Sequence, residues 1–356
     1  MSGIDATDAA PILVPKPVGA ARTAAPLGLS LGVPPPLAEL EQWLACAAVA
    51  DDFGVDSLWV AEASGRDVVP FLTHLVLQTR RVRIGTGIIN PFSRTPAMLA
   101  MTFATLDELS GGRMIIGLGS SSANVVEQWH GLRFKQPLRR IRETIEIVNQ
   151  IVAGKPLQYA GEIFNLRRGL RLQFEPVRRH IPVYVAATTP PSIRQSGEVA
   201  DGVMPIHWPR ERLAELRRLL AEGATAAGRS LATLTIAPSV NLVIAGQGDD
   251  EAMRVAREPI AHYAGRMGAF YPEMLTRYGY EAEVQAIRAA WERRDPAAAA
   301  AAVSDRLLQA TSIAGTVEQC AESLRDLRAH GADLPIIPLP PGDPVVLGRT
   351  LERLLR

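Results

Sequence analysis

Two stretches of the 356-residue sequence gather hydrogen-bond donors between an apolar run and a helical pattern. In the first, 117–131, three consecutive serines follow Gly119; in the second, 186–202, Thr188 or Thr189 can cap a helix with two prolines in its first turn. Backbone N–H groups at such helix starts bind phosphate well. Each turn on its own equally fits a plain helix cap. The two together favour one anionic ligand.

A third stretch, GTGIINPFSRTPAM at 85–98, has two glycines at the end of an apolar run. Gly85 and Gly87 would let the backbone approach a flat ligand closely or adopt an unusual peptide geometry. A strand that is merely softened by glycine is the alternative. The residues from Asn90 to Pro96 are typical of a tight turn into a helix.

Two titratable residues stand at the ends of other apolar runs. Glu62 ends SLWVAE, where a carboxylate can bind a ligand or exchange a proton, although many such acids only cap loops. His207, followed by Trp208, could offer a proton and an aromatic wall, or be a partly buried structural histidine. The six histidines lack metal-binding spacing, so we predict no metal site.

Strand-like and helical segments alternate along the chain and would position these residues. The strand-like runs are 27–33, 57–62, 82–90, 113–119, 182–187, 202–207, 234–246 and 334–339. Most are continuously apolar, as expected of parallel strands buried on both faces. Eight such strand-helix units can close into a β/α barrel, with reactive groups on the loops after the strands. An open doubly wound sheet is the alternative, but its G-x-G-x-x-G turn is missing after the first strand.

We expect one barrel domain over residues 27–356, with two departures from the simple repeat. Residues 155–180 alternate apolar and polar side chains and are predicted to form a β excursion. Residues 249–333 are predicted to be a mainly helical insertion over the barrel or at a subunit contact. Residues 1–26 are rich in Ala and Pro and are predicted to be a flexible leader without a signal-peptide core. No run reaches a membrane-spanning length.

Composition narrows the possible partners. Lysine plus arginine number 38 and aspartate plus glutamate 37, a formal net charge of +1. Nucleic acid and anionic membranes normally require a basic excess, so we expect neither as a partner, although a local anion site remains compatible. The two cysteines show no disulfide or zinc pattern, which fits a reducing cytoplasm.

Taken together, the motifs resemble the bacterial-luciferase-like superfamily. The resemblance is carried by SLWVAEASGRD (57–67), IGTGIINPFSRTPAMLAMTFATLDELSGGRMIIGLG (84–119), VVEQWHGLRFKQPLRRIRETIEIV (125–148) and IPVYVAATTPPSIRQSGEVADG (181–202). It covers nearly the whole chain after residue 26. It is closer to the branch that uses the deazaflavin coenzyme F420 and is related to methylenetetrahydromethanopterin reductase. The resemblance implies a (β/α)8 TIM barrel with its cofactor at the C-terminal mouth.

The resemblance also implies cofactor contacts at matching positions. Gly87 and Ile88 match the family's non-prolyl cis peptide behind the deazaflavin ring, with Asn90 beside it. The two phosphate-side loops are matched by Ser121, Ser122 and Ala123, and by Ala187, Thr188 and Thr189. The basic residues Lys135, Arg139 and Arg140 would meet the coenzyme's acidic tail, or form a solvated helix face.

One departure from the family bears on the reaction. Relatives that oxidise sugar phosphates or alcohols carry Asp-His after the second strand, whereas this chain has Glu62-Ala63. We therefore expect hydride delivery to an activated C=C, C=N or C=O bond, with Glu62 or His207 as the proton donor.

The expected protein is a cytoplasmic, homodimeric oxidoreductase that transfers hydride between coenzyme F420 and a small organic substrate. An FMN-dependent luciferase-like monooxygenase and a non-catalytic flavin-binding barrel are the alternatives.

Overall fold

A computed structural model describes residues 25–246, 248–339 and 343–355. Its strands are β1 (Gly28–Ser30), β2 (Ser57–Val60), β3 (Arg83–Thr86), β4 (Met114–Leu118), β5 (Tyr159–Ala160), β6 (Asn165–Leu166), β7 (Val183–Val185), β8 (Gly202–Val203), β9 (Thr235–Ile236), β10 (Asn241–Ile244), β11 (Ser312–Gly315) and β12 (Ile336–Pro338). The leader predicted for residues 1–26 lies outside the described residues except for its last two.

Helices follow most of the strands. They are α1 (Leu40–Asp52), α2 (Val68–Gln78), α3 (Pro96–Ser110), α4 (Pro137–Val152), α5 (Pro190–Val199), α6 (Leu213–Ala226), α7 (Asp250–Arg266), α8 (Phe270–Arg277), α9 (Glu281–Glu292), α10 (Pro296–Ala301), α11 (Asp305–Thr311), α12 (Val317–Ala329) and α13 (Pro344–Leu355). Within the described residues, no helix combines the length and the apolar character needed to cross a bilayer.

Eight parallel strands form one barrel, in the order β12, β1, β2, β3, β4, β7, β8 and β9. A parallel bridge between Ser239 and Ile336 joins the two ends of this row and closes it. The predicted (β/α)8 TIM barrel is therefore confirmed. Its C-terminal mouth collects the loops that follow β2, β3, β4, β7 and β8, as such barrels do.

The stretch 234–246, expected to be one strand, is divided. β9 belongs to the barrel, whereas β10 leaves it and pairs in parallel with β11. Pro238 lies between them and has no N–H to donate to a ladder, which accounts for the interruption. β11 falls inside 249–333, the segment expected to be mainly helical, together with helices α7 to α12.

The barrel interior is filled by a compact apolar cluster around Trp59. It comprises Trp59, Ile115, Tyr184, Met204, Ala237, Leu334 and Ile336, with Ile88 packed against it from the mouth. Gly85 makes room for the Trp59 indole, because a Cβ at this position would lie 2.6 Å from Trp59 Cζ3. The structure thus gives the glycine at position 85 a packing reason, because it accommodates a core tryptophan.

A buried carboxylate fastens the β excursion to the barrel. Residues 155–180 contain the two-residue antiparallel strands β5 and β6. Glu143 on α4 is 1% exposed, and its carboxylate accepts hydrogen bonds from the backbone N–H groups of Glu162 (2.8 Å), Ile163 (3.1 Å) and Phe164 (2.9 Å). The turn of the hairpin is thus held against α4, a helix that also borders the site described next.

Candidate functional site

The end of β3 presents an unusual backbone to the barrel mouth. The peptide bond between Gly87 and Ile88 is cis, Gly87 is exposed, and Ile88 is half-buried above the interior cluster. The N–H of Glu62 donates to the carbonyl of Ile88 (3.1 Å), which ties the ends of β2 and β3 together. Gly87 and Ile88 are therefore placed at the mouth on a supported strand end.

Asn90 shapes the turn that follows. It is buried, and its Oδ1 accepts hydrogen bonds from the N–H groups of Phe92 (2.9 Å) and Ser93 (2.8 Å). This is the local bonding by which asparagine stabilises turns. The carbonyl of the Asn90 side chain is thus engaged within the protein, beside the cis peptide.

The loop after β4 carries the serines. Ser120 leads the group, and Ser121 has a left-handed backbone with φ of 61°, which is uncommon for a residue other than glycine. Ser122 Oγ accepts a hydrogen bond from Val125 N–H (3.3 Å) at the start of a turn of π-helix, Val125–Trp129. Ala123 is exposed. Ser122 thus acts as a cap, whereas the hydroxyl of Ser120 stands at a cavity.

The loop after β7 begins with a buried residue and leads into the start of helix α5. Ala187 is buried, and Thr188 and Thr189 are half-buried. Thr189 caps α5 through reciprocal bonds: Thr189 Oγ1 accepts from Ser192 N–H (3.4 Å), and Ser192 Oγ accepts from Thr189 N–H (3.1 Å). The predicted threonine cap with prolines in the first turn is confirmed at Thr189.

A cavity of about 390 Å³ opens between these two loops. Its lining residues are Ser120, Gln136, Pro137, Leu138, Arg139, Ile141, Val185, Ala186, Thr188, Thr189, Ser192, Gln195 and Phe270. The volume lies within the range of small-molecule and cofactor sites. The lining combines apolar side chains with hydroxyls and amides, and Arg139 supplies one cation.

The cis peptide adjoins this cavity without lining it. A Cβ built on Gly119 would lie 2.8 Å from Ile88 Cγ1 and 3.3 Å from Ala186 Cβ, so Ile88 and the cavity-lining Ala186 both border the backbone of Gly119. Among the predicted binding residues, Thr188 and Thr189 line the cavity. The other predicted residues do not line it; they are Gly87, Ile88, Asn90, Ser121, Ser122, Ala123 and Ala187.

Several cavity residues were missed by the reasoning from sequence. Gln136, Leu138 and Ile141 come from the first turns of α4, Gln195 from α5 and Phe270 from the first turn of α8. Gln136 has φ of 50°, and Gln195 Nε2 donates to the carbonyl of Leu138 (2.8 Å). The apolar stripe on α4 predicted a helix but carried no sign that its start would border a ligand site.

The three residues of the basic cluster, Lys135, Arg139 and Arg140, lie in different surroundings. Arg139 lines the cavity and forms an ion pair with Glu162 (2.6 Å). Arg140 stacks over the rings of Phe92 (4.6 Å) and Phe164 (5.3 Å), and burial lowers its pKa. Lys135 is exposed. Of the three, only Arg139 is positioned at the cavity, and its charge is already balanced by a carboxylate.

Glu62 is held in an ion pair at the mouth. Arg94 Nη1 lies 2.8 and 2.7 Å from the two carboxylate oxygens of Glu62, and Arg94 Nη2 lies 2.8 Å from Asp67, the residue that caps α2. Both Glu62 and Arg94 are largely buried, with 12% and 15% of their side chains exposed. A carboxylate bound in this way accepts hydrogen bonds and has no proton to give.

His207 follows the sixth barrel strand in a left-handed backbone conformation, with φ of 51°. It is 3% exposed, and both ring nitrogens are buried without a hydrogen-bond partner. Burial lowers its pKa to about 4, so the ring is neutral at pH 7. Its edge meets Tyr263 of α7 at a centroid distance of 4.7 Å. Within the described chain, no cluster of three or more His, Cys, Asp or Glu side chains suits a metal ion.

Known proteins resemble this chain in sequence and in fold. The family model described as luciferase-like monooxygenase matches residues 12–334. A Mycobacterium tuberculosis protein named as a coenzyme F420-dependent oxidoreductase is 33% identical over 333 residues, covering 87% of this chain and 94% of that protein. The 5,10-methylenetetrahydromethanopterin reductase of Archaeoglobus fulgidus is 29% identical over 299 residues, covering 82% and 87%.

Among solved structures, the coenzyme F420-dependent tetrahydromethanopterin reductase of Methanopyrus kandleri superposes with a TM-score of 0.79 at 24% identity, covering 94% of this chain and 98% of that one. A monooxygenase from Streptomyces bottropensis superposes with a TM-score of 0.68 at 22% identity, covering 93% and 97%. At these identities, each superposition supports the barrel fold of this chain.

Proposed function

Because this chain belongs to the luciferase-like monooxygenase family, we propose that it is a coenzyme F420-dependent oxidoreductase that transfers hydride between the coenzyme and a small organic substrate. Two proteins similar to it over most of their length support this: one is named for coenzyme F420, and the other is a methylenetetrahydromethanopterin reductase. When bound, the coenzyme supplies or accepts hydride at C5 of its deazaflavin ring.

The observation that carries the proposal is the cavity between the loops after β4 and β7, with the cis peptide beside it. A deazaflavin coenzyme has a flat ring and an anionic phosphodiester, so its site needs both an apolar surface and hydrogen-bond donors. The cavity offers apolar side chains such as Leu138 and Phe270, hydroxyls at Ser120 and Thr188, and the N-terminus of α5. These residues fit such a ligand.

We assign the ring and the anionic part of the coenzyme to different residues of the site. Gly87 and Ile88 back the ring, and Asn90 holds the turn that keeps them in place. The anionic part lies against the backbone of Ser121, Ser122 and Ala123 on one loop and of Ala187, Thr188 and Thr189 on the other. The hydroxyls of Ser120, Thr188 and Thr189 line the cavity, although Ser120 Oγ also donates to the carbonyl of Ser121 (3.2 Å), so we assign Thr188 as the main hydroxyl donor to the ligand.

Glu62 acts at the mouth as an ionised acceptor. Its pairing with Arg94 leaves it without a proton to donate, so we assign it to ligand hydrogen bonding and to holding Arg94. The hydrogen bond from the backbone N–H of Glu62 to the carbonyl of Ile88 links Glu62 to the cis peptide. Of the two proton donors predicted from sequence, Glu62 and His207, we therefore favour His207.

Direct binding tests the assignment. Titration of the protein with oxidised coenzyme F420, followed by the coenzyme's fluorescence, is expected to give micromolar or tighter binding, with FMN at least tenfold weaker. Thr188→Val removes a cavity hydroxyl and is expected to weaken coenzyme F420 binding by roughly tenfold, the worth of one hydrogen bond to a charged group. Thr225→Val, the same change on the exposed face of α6, serves as the matched control.

The alternatives predict different outcomes in the same titration. Tight FMN binding without coenzyme F420 binding would favour an FMN-dependent monooxygenase; monooxygenase is the activity named for one structural neighbour and for the family. Binding of either cofactor without hydride transfer to any acceptor would favour a non-catalytic flavin-binding barrel. Binding of neither would refute the proposal.

We further propose that the protein is a homodimer. Met98 and Met101 on α3 and Leu77 on α2 are large apolar side chains with about half of their area exposed, and α2 and α3 pack side by side. Exposed apolar patches of this kind often mark interfaces. Light scattering during gel filtration is expected to give twice the 38.4 kDa chain mass, and Met101→Glu is expected to lower it. A monomeric wild type would refute the dimer.

A cytoplasmic location is the remaining part of the proposal. Cys46 and Cys320 are both buried and form no disulfide, as is usual for proteins of a reducing compartment. Fractionation of the native host is expected to recover the protein with cytoplasmic markers. Recovery with extracytoplasmic markers would contradict this.

A further inference from the structure

The imidazole of His207 is an unexplained polar group at the barrel mouth. Ile206, just before it, bridges to Ser239, and Met204 N–H donates to the carbonyl of Val185 (2.8 Å), so His207 ends the strand next to β7. Val185 and the next residue, Ala186, line the cavity. His207 is therefore near the cavity but belongs to a different strand from the loops assigned to the coenzyme.

Two features of His207 are costly to folding. A residue other than glycine with positive φ has a strained backbone, and such strain clusters at active sites. Each buried polar group without a hydrogen-bond partner adds a further free-energy cost. Since neither feature is compensated by a hydrogen bond within the protein, the ring is available to bond a ligand.

The surroundings of the ring are aromatic and uncharged. His207 meets Tyr263 at 4.7 Å, and Tyr263 meets Tyr271 of α8 at 4.8 Å, each edge to face. Phe270, the neighbour of Tyr271, lines the cavity. Burial raises the pKa of Tyr263 and of Tyr271, so both phenols are neutral at pH 7. His262, also on α7, contacts the ring of Tyr263 edge to face at a centroid distance of 6.1 Å.

We propose that His207 donates a hydrogen bond to the reacting heteroatom of the substrate, and that the substrate is an uncharged carbonyl or imine compound. This inference rests on the proposed function. The site favours an uncharged molecule because burial alone shifts the ring's pKa, with no charged neighbour contributing among the described residues, and an unpaired buried charge would be strongly disfavoured. A neutral imidazole can polarise a carbonyl in this way.

In the reduction, the hydride, the electron pair and the proton each have a source and a destination. The substrate carbon accepts the hydride from the reduced coenzyme, the π bond of C=O or C=N breaks, and its electron pair moves to the oxygen or nitrogen. The N–H of His207 stabilises that pair and passes its proton to it. The other ring nitrogen takes up, through solvent, the proton that the reduced coenzyme loses together with its hydride, so the ring ends neutral, the substrate becomes an alcohol or amine, and the coenzyme is left oxidised.

Nuclear magnetic resonance tests the contact without turnover. The full chain, labelled with ¹⁵N in its six histidines and saturated with oxidised coenzyme F420, which has no hydride to give, is titrated with cyclohexanone. The His207 ring nitrogens, assigned with a His207→Asn variant, are expected to shift. Methylenecyclohexane, which has C=CH₂ in place of C=O, is expected to leave them unchanged. No shift with cyclohexanone, or equal shifts with both probes, would overturn the proposal.

A pair of variants of similar shape tests the chemistry. His207→Asn keeps an N–H donor and suits left-handed backbone, whereas His207→Leu has no donor. Both are expected to bind oxidised coenzyme F420 within twofold of the wild type. In single-turnover oxidation of the reduced coenzyme by cyclohexanone, His207→Leu is expected to be about 10²- to 10³-fold slower and His207→Asn about tenfold slower. A His207→Leu rate within threefold of the wild type would contradict the inference.

Different results would refute the proposed function and the role of His207. A wild type that does not bind coenzyme F420 refutes the proposed function, and the inference with it. A wild type that binds the coenzyme but shows no imidazole response refutes the inference alone. The wild-type rate is expected to be flat from pH 5.5 to 8, because burial keeps the imidazole neutral; a rise on acidification with a midpoint near 6.5 would indicate an imidazolium donor instead.

Discussion

Gly119→Ala should weaken coenzyme binding by displacing Ile88. The added Cβ would lie 2.8 Å from Ile88 Cγ1 and 3.1 Å from Ile88 Cδ1. The first contact is 0.6 Å shorter than 3.4 Å, the lower limit of ordinary contact. Ile88 must therefore move by more than half an ångström. Overpacking of this kind costs about 1–3 kcal/mol. Because Ile88 is proposed to back the deazaflavin ring, we expect coenzyme F420 to bind about 10- to 100-fold more weakly, at 1.4 kcal/mol per factor of ten.

The assay combines binding and stability. Coenzyme F420 fluorescence titration gives the dissociation constant, and differential scanning fluorimetry gives the melting temperature, which should fall by a few degrees. Gly65→Ala is the matched control, since a Cβ at Gly65 meets no atom within 4 Å. It should leave both quantities unchanged.

Two results would refute the reasoning. One is a Gly119→Ala protein that binds the coenzyme within twofold of the wild type. The other concerns a double-mutant cycle with Ile88→Ala, which removes the clashing atoms. In the cycle the loss of melting temperature in the double variant should be smaller than the sum of the two single losses, because the sites are in contact. Strict additivity would mean that Gly119 and Ile88 are not coupled.

Three further predictions concern charged or titratable groups. The folded pKa of His207, about 4, lies below its ordinary 6.5, so the unfolded chain binds more protons between these values. Stability present above pH 6.5 should thus fall by about 3 kcal/mol as pH drops to 4; urea unfolding of His207→Leu should lack this part of the fall. Glu143→Gln should cost about 1–3 kcal/mol and speed hydrogen exchange over 159–166, because one acceptor oxygen of the hairpin anchor becomes a donor; Glu322→Gln, the same change at an exposed position of α12, should have less effect. Arg94→Gln should lower the melting temperature by leaving the Glu62 carboxylate largely buried and unpaired, and adding Glu62→Gln should restore part of it; a double variant less stable than Arg94→Gln would contradict the pairing.

The prediction of the barrel from sequence rested on features that are local. Continuous apolar runs and helical stripes depend on neighbouring residues only, and eight of them in alternation leave few ways to bury both faces of each strand. The Thr189 cap was likewise predictable, because Thr followed by two prolines specifies a helix start whatever lies around it. The division of 234–246 at Pro238 could also have been anticipated from the missing N–H.

The site was harder to predict, because it joins residues far apart in the chain. The reasoning from sequence identified Thr188 and Thr189 from their turn, yet Gln136, Gln195 and Phe270 line the same cavity from three different helices. No local pattern marks a residue as cavity-lining. Phe270 in particular comes from a helix inside 249–333, where the sequence predicted only helical content.

The sequence by itself therefore determined the barrel, the order of its loops and the helix starts that face its mouth, since propensity and periodicity act over a few residues. The tertiary structure alone decided how the chemical groups are used. It formed the ion pair between Glu62 and Arg94 and packed Trp59 against Gly85. It also buried the ring of His207 beside Tyr263 with no hydrogen-bond partner for either nitrogen among the described residues. Those outcomes depend on packing between distant segments, which sets burial, hydrogen bonding and charge, and these decide the chemistry a side chain can perform.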